Sequence, residues 1–213
     1  MKVYLVRHGV TNEAENNRRQ FPYSSLSKEG AKQARAVALR LLTEDVDVIL
    51  CSEWIRAKET ANIIAAELNK PIEEFAGIHE KEHSAALHGT KIDSSIHQEH
   101  DEDLKNHWGD LDWKFRNEGE SLREVTQRAA LFRDHLLNSH QDQNVLVVSH
   151  SGFIRGFISS CILGDNYLDE VMLRLWLGIR VRNTGVSLLE HDNSNGIWSI
   201  EYLNDHFHLN PPG

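Results

Sequence analysis

Cysteine is scarce in this chain: Cys51 and Cys161 are the two it has, each within an apolar stretch, ILCS and SSCIL. A disulfide framework is therefore not what organises the fold, and two buried free thiols in a reducing compartment are expected, with a single bridge between them left open. Basic residues fall short of acidic ones, 23 against 32, for a formal net charge of -9. That argues against a nucleic-acid coat or a polybasic membrane anchor. An anionic ligand would need a locally basic pocket inside an acidic envelope. No apolar run reaches the roughly 20 residues needed to span a bilayer. The strand-like KVYLV starts at residue 2, with no longer apolar region behind it to read as a signal peptide. A cytoplasmic protein with neither nucleic acid nor membrane as partner is expected. Repeats, low-complexity segments and clear linkers are missing too. With 213 residues, 40% of them hydrophobic, residues 1–213 suit a single domain able to bury one sizeable core.

What is there is an alternation of strand and helix patterns. Lys2 to Val6 is a short apolar run that meets a loop at Arg7-His8-Gly9. Residues 10–25 are polar and irregular. Ser27 is placed to cap a helix to about Thr43, with Ala34, Ala38, Leu41 and Leu42 on its inner face. Val46 to Cys51 reads as a second buried strand, followed by a helix with Ala57, Ala61, Ile64, Ala65 and Leu68 at helical spacing. Pro71 to Phe75 suggests a short third strand. Ser121-Leu-Arg-Glu124 is a capping box opening a helix to about Ser139. Val145 to Val148 is a β-branched run ending at Ser149-His150-Ser151-Gly152, with a helix to Cys161 after it. Val181, Gly185 to Glu190 and Trp198 to Leu203 read as later strands. Such alternation favours an α/β sheet covered on both faces. The weakly periodic stretch 76–119, with a helix expected near Ser94 to Lys105, reads as a cap-like insertion rather than a domain.

Open α/β sheets bind ligands beyond the carboxyl ends of their strands. Two strand-like runs end in histidine, LVRHG at His8 and VVSHSG at His150, and a third leads into SEWIRAKETA, which sets Arg56 early in a helix. Were these strands parallel, Arg7, His8, Arg56 and His150 would meet at one edge, and converging cations and imidazoles suit a phosphoryl dianion. A neutral imidazole can attack phosphorus and become phosphohistidine. Arg7 and Arg56 would grip the equatorial oxygens as planar forks and hold the His8 pKa down. His150 is then expected as a protonated donor to the phosphoryl group. The leaving oxygen needs a proton, for which Glu80 in AGIHEKEH is the first choice and Glu82 the fallback.

The chain resembles the histidine phosphatase superfamily, also called phosphoglycerate mutase-like. LVRHGVT resembles its Arg-His-Gly signature, LSKEGAKQA its L-[ST]-x-x-G-x-x-Q-A helix start, and SEWIRAKETA its S-x-x-x-R-A-x-x-T-A element. NEGES, VVSHSGFIR and NTGVSLLE follow in the family's order. The resemblance implies a three-layer sandwich with a mostly parallel central sheet flanked by helices. It implies a phosphate pocket of Arg7, His8, Arg56 and His150, and Glu80 as proton donor. IHEKEHSAALHG departs from the W-E-G ending of many members, with His83 where a variant pattern has proline. Ala14 stands where many members have a phosphate-binding asparagine. Either Asn12 or Asn16 substitutes or the contact is absent, and Thr11 is expected to donate a hydroxyl. No metal or cofactor is expected, and the partner is a small phosphorylated substrate.

Six histidines lie between His79 and His107. The i,i+4 pair His79 and His83 and the i,i+3 pair His97 and His100 would suit zinc on a helix, but neither has a third ligand, so a solvated polar cap is expected. Trp108, Trp113 and Phe115 are expected to pack the insertion on the core. The function expected is hydrolysis of phosphomonoesters through phosphohistidine on His8. The alternatives are a cofactor-dependent phosphoglycerate mutase, whose E-R-x-Y-G element has no counterpart in KEHSAALHGTKID, and a non-catalytic phospho-ligand-binding module.

Overall fold

The structure, a computed structural model, describes residues 1–209. Its strands are β1 (Lys2–Arg7), β2 (Val48–Cys51), β3 (Ile72–Glu74), β4 (Val145–Ser149), β5 (Val186–Asp192) and β6 (Ile197–Asp205). They form one six-stranded sheet in the order β3-β2-β4-β1-β5-β6. The pairs β3–β2, β2–β4 and β4–β1 are parallel, while β1–β5 and β5–β6 are antiparallel. The helices are α1 (Asn12–Glu15), α2 (Lys28–Leu41), α3 (Ile55–Leu68), α4 (Ser95–Asn106), α5 (Leu122–Ser139), α6 (Ser151–Leu163) and α7 (Asp169–Gly178).

The central strands are apolar without a break because both faces of the sheet are covered. Side chains alternate across a strand. Val3, Leu5, Val48, Leu50, Val145 and Val147 therefore pack on one side with Phe132 and Ala129 of α5 and Phe153 and Phe157 of α6. Tyr4, Val6, Ile49, Cys51, Leu146 and Val148 pack on the other with Val37 and Leu41 of α2 and Ala57 and Ile64 of α3. Helix, sheet and helix make the three layers. Both cysteines are free and buried.

The helix starts follow from their caps. Ser27 Oγ accepts the Gly30 N–H at 3.0 Å, and Ser121 with Glu124 closes the capping box in both directions. Behind β1 the chain crosses the start of α2 with backbone touching backbone. A Cβ on Gly9 would strike the Gly30 carbonyl, and one on Gly30 would strike that of Val10. The glycines of RHG and KEG are thus two halves of one contact, sealed by Ser27 N–H donating to the Val10 carbonyl at 2.9 Å.

Three elements differ from the sequence reading. The irregular 10–25 stretch contains the one-turn helix α1, too short to carry a period. Val181 lies in a loop, and the preceding DEVMLRLWLG is helix α7. Only Met172 and Trp176 of α7 are buried, while Val171 and Leu177 face outward, so its apolar residues mark no single stripe. Residues 76–119 are loop, two short 3-10 turns (Ala85–Leu87 and Phe115–Asn117) and α4. His97 and His100 of α4 are buried, His100 meeting the rings of Trp113 and Phe115 at 5.5 and 5.2 Å. They are packing residues, which a metal reading and a solvated-cap reading both miss. Phe115 is buried as expected, but Trp108 is 64% exposed and does not pack on the core.

Candidate active site

Strands β2, β4 and β1 are adjacent and parallel, so their carboxyl ends open side by side. Ser52, His150 and His8 are the residues that follow them. The loops begin in register, with His8 N–H donating to the Ser149 carbonyl at 3.0 Å and Ser52 N–H to that of Val148 at 3.1 Å. The rings of His8 and His150 lie 5.0 Å apart, and both are fully buried.

His8 is fixed from both of its ring nitrogens. Nδ1 meets its neighbour's carbonyl, Gly9 O, at 2.7 Å, and a carbonyl can only accept, so the ring proton sits on Nδ1. Nε2 then carries the lone pair, and Arg56 Nε–H donates to it at 3.0 Å. Burial first, then the charges of Arg56 and Arg7, hold the His8 pKa well below the usual imidazole range. The ring is neutral, one tautomer, with its basic nitrogen among guanidinium groups. The main chain around it is held from three sides. Thr60 Oγ1 accepts the Gly9 N–H at 3.2 Å, Asn183 Nδ2 donates to the His8 carbonyl at 2.9 Å, and Thr184 N–H donates to that of Arg7 at 2.9 Å.

A cavity of about 410 Å3 opens above these residues, lined by Arg7, Arg18, Arg19, Arg56, Lys81 and Arg155, with Glu80 as its one carboxylate. None of those six cations makes an ion pair among the described residues. Arg56 is 1% exposed. Burial, against the pull of Glu80 and with the help of the Arg7 charge, lowers its pKa to about 10. Arg7 Nε, Arg19 Nε and His150 Nδ1 are buried with no hydrogen-bond partner among the described residues. Burying unpaired cations and unsatisfied N–H groups costs free energy. In a chain of net charge -9, collecting them in one cavity is the signature of an anion site.

Glu80 sits against the first turn of α6. Its Oε1 accepts N–H bonds from Gly152 at 2.6 Å and Lys81 at 2.9 Å. A Cβ at residue 152 would strike Oε1, so the glycine of VSHSG is what lets the carboxylate reach the helix. The loop beneath Glu80 is tied down. Ser149 Oγ donates to the Ile78 carbonyl, and Arg128 donates to the carbonyls of Gly77 and His79 while forming a two-pronged ion pair with Glu120.

Arg7, His8, Arg56, His150 and Glu80 are thus brought together. Thr11 and Asn12 are not. Thr11 Oγ1 accepts the Ala14 N–H as the cap of α1, and Asn12 Nδ2 donates to the Leu26 carbonyl at an exposed position. Asn16 Nδ2 bonds the Asn12 carbonyl. None of the three lines the cavity. Glu82 is exposed and also stands outside it. His150, expected from sequence as a protonated donor, is a fully buried ring. Burial, then Arg56 and His8, push its pKa well below the usual range, and its Nε2 meets Ser52 Oγ at 2.9 Å.

Arg18, Arg19 and Arg155 were missed as cavity cations. Arg155 closes the VVSHSGFIR element, one turn after Gly152, so helical spacing alone pointed to it. For the adjacent arginines 18 and 19 the only signal was two cations in an irregular stretch.

The buried imidazoles predict a pH dependence of stability. His8 and His150 have folded-state pKa values well below 6.5, and burial with the charges of Arg19 and Lys81 lowers His83 to about 2. In the unfolded chain each titrates near 6.5. Below that pH the unfolded state binds more protons, so stability is level above about pH 6.5 and falls as pH drops toward 5. Each such histidine contributes up to about 1.4 kcal/mol per pH unit. Denaturant midpoints at pH 7.5, 6.5 and 5.5 check this; a constant midpoint would mean that the rings protonate without unfolding.

Comparison with known proteins places this geometry in context. The model of the histidine phosphatase superfamily (branch 1) matches residues 3–206. A Serratia proteamaculans protein named probable phosphoglycerate mutase GpmB is 31% identical over 216 residues, covering 100% of this chain and 96% of that protein. Among solved structures, Bacillus stearothermophilus YhfR superposes with a TM-score of 0.82 at 25% identity over 98% of both chains. Phosphoserine phosphatase from Entamoeba histolytica, in complex with phosphoserine, does so with 0.80 at 22% identity over 98% of both, a likeness of fold.

Proposed function

Since the chain belongs to the histidine phosphatase superfamily, we propose that it is a phosphomonoesterase that carries the phosphoryl group on His8 Nε2. The observation that carries this reading is the His8 ring: proton locked on Nδ1 by Gly9 O, pKa depressed, Nε2 lone pair facing Arg56 Nε at 3.0 Å.

The substrate phosphoryl dianion takes the place of an ion-pair partner for Arg7 and Arg56, whose forks bind two oxygens each. His150 Nδ1, buried without a partner, donates to a third contact. In the tautomer that serves this step the single proton of the neutral His150 ring is on Nδ1, and Nε2 accepts from Ser52 Oγ, 2.9 Å away. As the phosphoryl oxygens take over the Arg56 donors, its Nε–H leaves the His8 lone pair, and Nε2 attacks phosphorus, forming the P–N bond as the P–O bond to the alcohol breaks. The alkoxide takes its proton from Glu80. Because Oε1 already accepts two N–H bonds, the carboxyl proton belongs on Oε2. Glu80, now a carboxylate, takes a proton from water as that water attacks phosphorus; the P–N bond breaks, phosphate leaves, and both groups are restored. Charge on the transferring group is compensated by guanidinium groups, so activity is expected to survive a chelator.

The test is rapid acid-base quenching of turnover with a phosphorus-labelled phosphomonoester. The expected result is base-stable, acid-labile label on His8 that disappears on a chase with unlabelled substrate. Absence of labelled enzyme across sugar phosphates, phosphoglycerates, nucleotides and phosphopeptides would exclude the covalent route. The name carried by the curated relatives gives a second reading, mutase chemistry. Fast interconversion of 2- and 3-phosphoglycerate primed by bisphosphoglycerate would favour it; phosphate release without interconversion supports the phosphatase.

A further inference from the structure

A second cavity adjoins the first. It has a volume of about 200 Å3, and Lys81, His83, Leu122 and Trp176 line both. Its other walls are Leu104 of α4, Trp108 and Trp113 after it, and Leu173 and Leu177 of α7. The two spaces differ in kind. The first holds the unpaired cations and the nucleophile beneath them. The second is walled by three indoles and by leucines, with imidazoles of His83, His100 and His107 between them. Volume limits the occupant: a dry cavity of about 150 Å3 accepts a benzene ring, so this one takes one ring or a small fused pair. Flat, ring-rich walls favour a flat partner, which they meet by stacking and edge contacts.

Resting on the phosphatase reading above, we infer that the substrates are phosphomonoesters of alcohols bearing an aromatic ring, with the phosphoryl group among the arginines and the ring in the adjoining indole-walled cavity. Shared walls carry the argument. A molecule whose phosphorus stands over His8 has its leaving oxygen beside Glu80, and Lys81 and Trp176 lead from there into the second space. Two further features agree. Trp108 is 64% exposed and Leu177 45% exposed, a cost in water that a ring seated between them would relieve. Lys81, with its pKa lowered to about 8 chiefly by burial, lies at the junction rather than in solvent.

The experiment compares kcat/KM for matched primary alkyl phosphates: ethyl, propyl and butyl phosphate against 2-phenylethyl, 3-phenylpropyl and 4-phenylbutyl phosphate. The leaving alcohols have similar acidity, so the ring alone is varied. A gain of about tenfold or more for at least one phenyl member is expected, the range for an added apolar group in a fitting pocket. In Trp108→Ala and in Leu177→Ala the phenyl-to-alkyl ratio should fall toward one. A variant that is merely misfolded would lower both arms and keep the ratio. If the wild type hydrolyses both series equally, or if the ratio survives both substitutions, the ring-binding role is wrong while the phosphatase reading stands. If neither series nor any other phosphomonoester labels His8, the underlying reading itself fails.

Discussion

Replacing His8 by alanine should abolish turnover, with kcat down by at least about 10^4-fold, the scale seen when a covalent nucleophile is removed. Among the described residues Arg56 donates to no other imidazole: His150 has its Nε2 against Ser52 Oγ, and His83 and His88, which also line the cavity, make no hydrogen bond with it. What survives is water attacking a phosphoryl group held by arginines, a residual that oriented binding alone can give. Labelled enzyme should vanish with turnover, whereas inorganic phosphate should still bind, because Arg7, Arg56 and Arg155 remain. A His8→Ala protein that hydrolyses alkyl phosphates at the wild-type rate would remove the covalent mechanism. Arg56→Lys is the informative companion. It keeps the charge but loses the fork and the Nε–H aimed at Nε2, so it should lower kcat while retaining label.

The second large effect is at Glu80, and it should depend on the leaving group. Glu80→Gln keeps an oxygen for the Gly152 and Lys81 amides but has no proton to give. For alkyl phosphates, whose alkoxides need protonation, kcat should fall by about 10^2- to 10^4-fold. For 4-nitrophenyl phosphate the first step should be nearly spared, because nitrophenolate leaves without help. The second step still lacks its base, so a burst of nitrophenolate followed by slow turnover is expected. Gly152→Ala reaches the same place from the other side: its methyl displaces Oε1 and should reproduce the leaving-group-dependent loss with the carboxyl group intact. Equal losses on alkyl and nitrophenyl esters, with no burst, would mean that Glu80 orients rather than transfers a proton.

The features readable from sequence were those set by short-range rules. Apolar runs without alternation marked strands buried on both faces, capping serines marked helix starts, and parallel strands ending in histidine foretold where the rings would meet. Gly9, Gly30 and Gly152 sat in recognisable motifs, but their reasons are long-range close approaches that no local pattern expresses. Thr11 and Asn12 went the other way: their polar atoms were spent locally, on a helix cap and on the Leu26 carbonyl, before any ligand could use them. Helix α7 escaped because its apolar residues are spread around it, Met172 and Trp176 inward with Leu173 against them, Val171 and Leu177 outward, which erases the amphipathic signal. The His-rich stretch misled because burying His97 and His100 among aromatic rings is a matter of tertiary packing.

The tether under Glu80 sets how little the backbone there has to move. With Arg128 gripping the carbonyls of Gly77 and His79 and Ser149 that of Ile78 between them, the Glu80 carboxyl group is in place before any ester arrives. No swing of a flap is then required to bring that carboxyl group to the cavity.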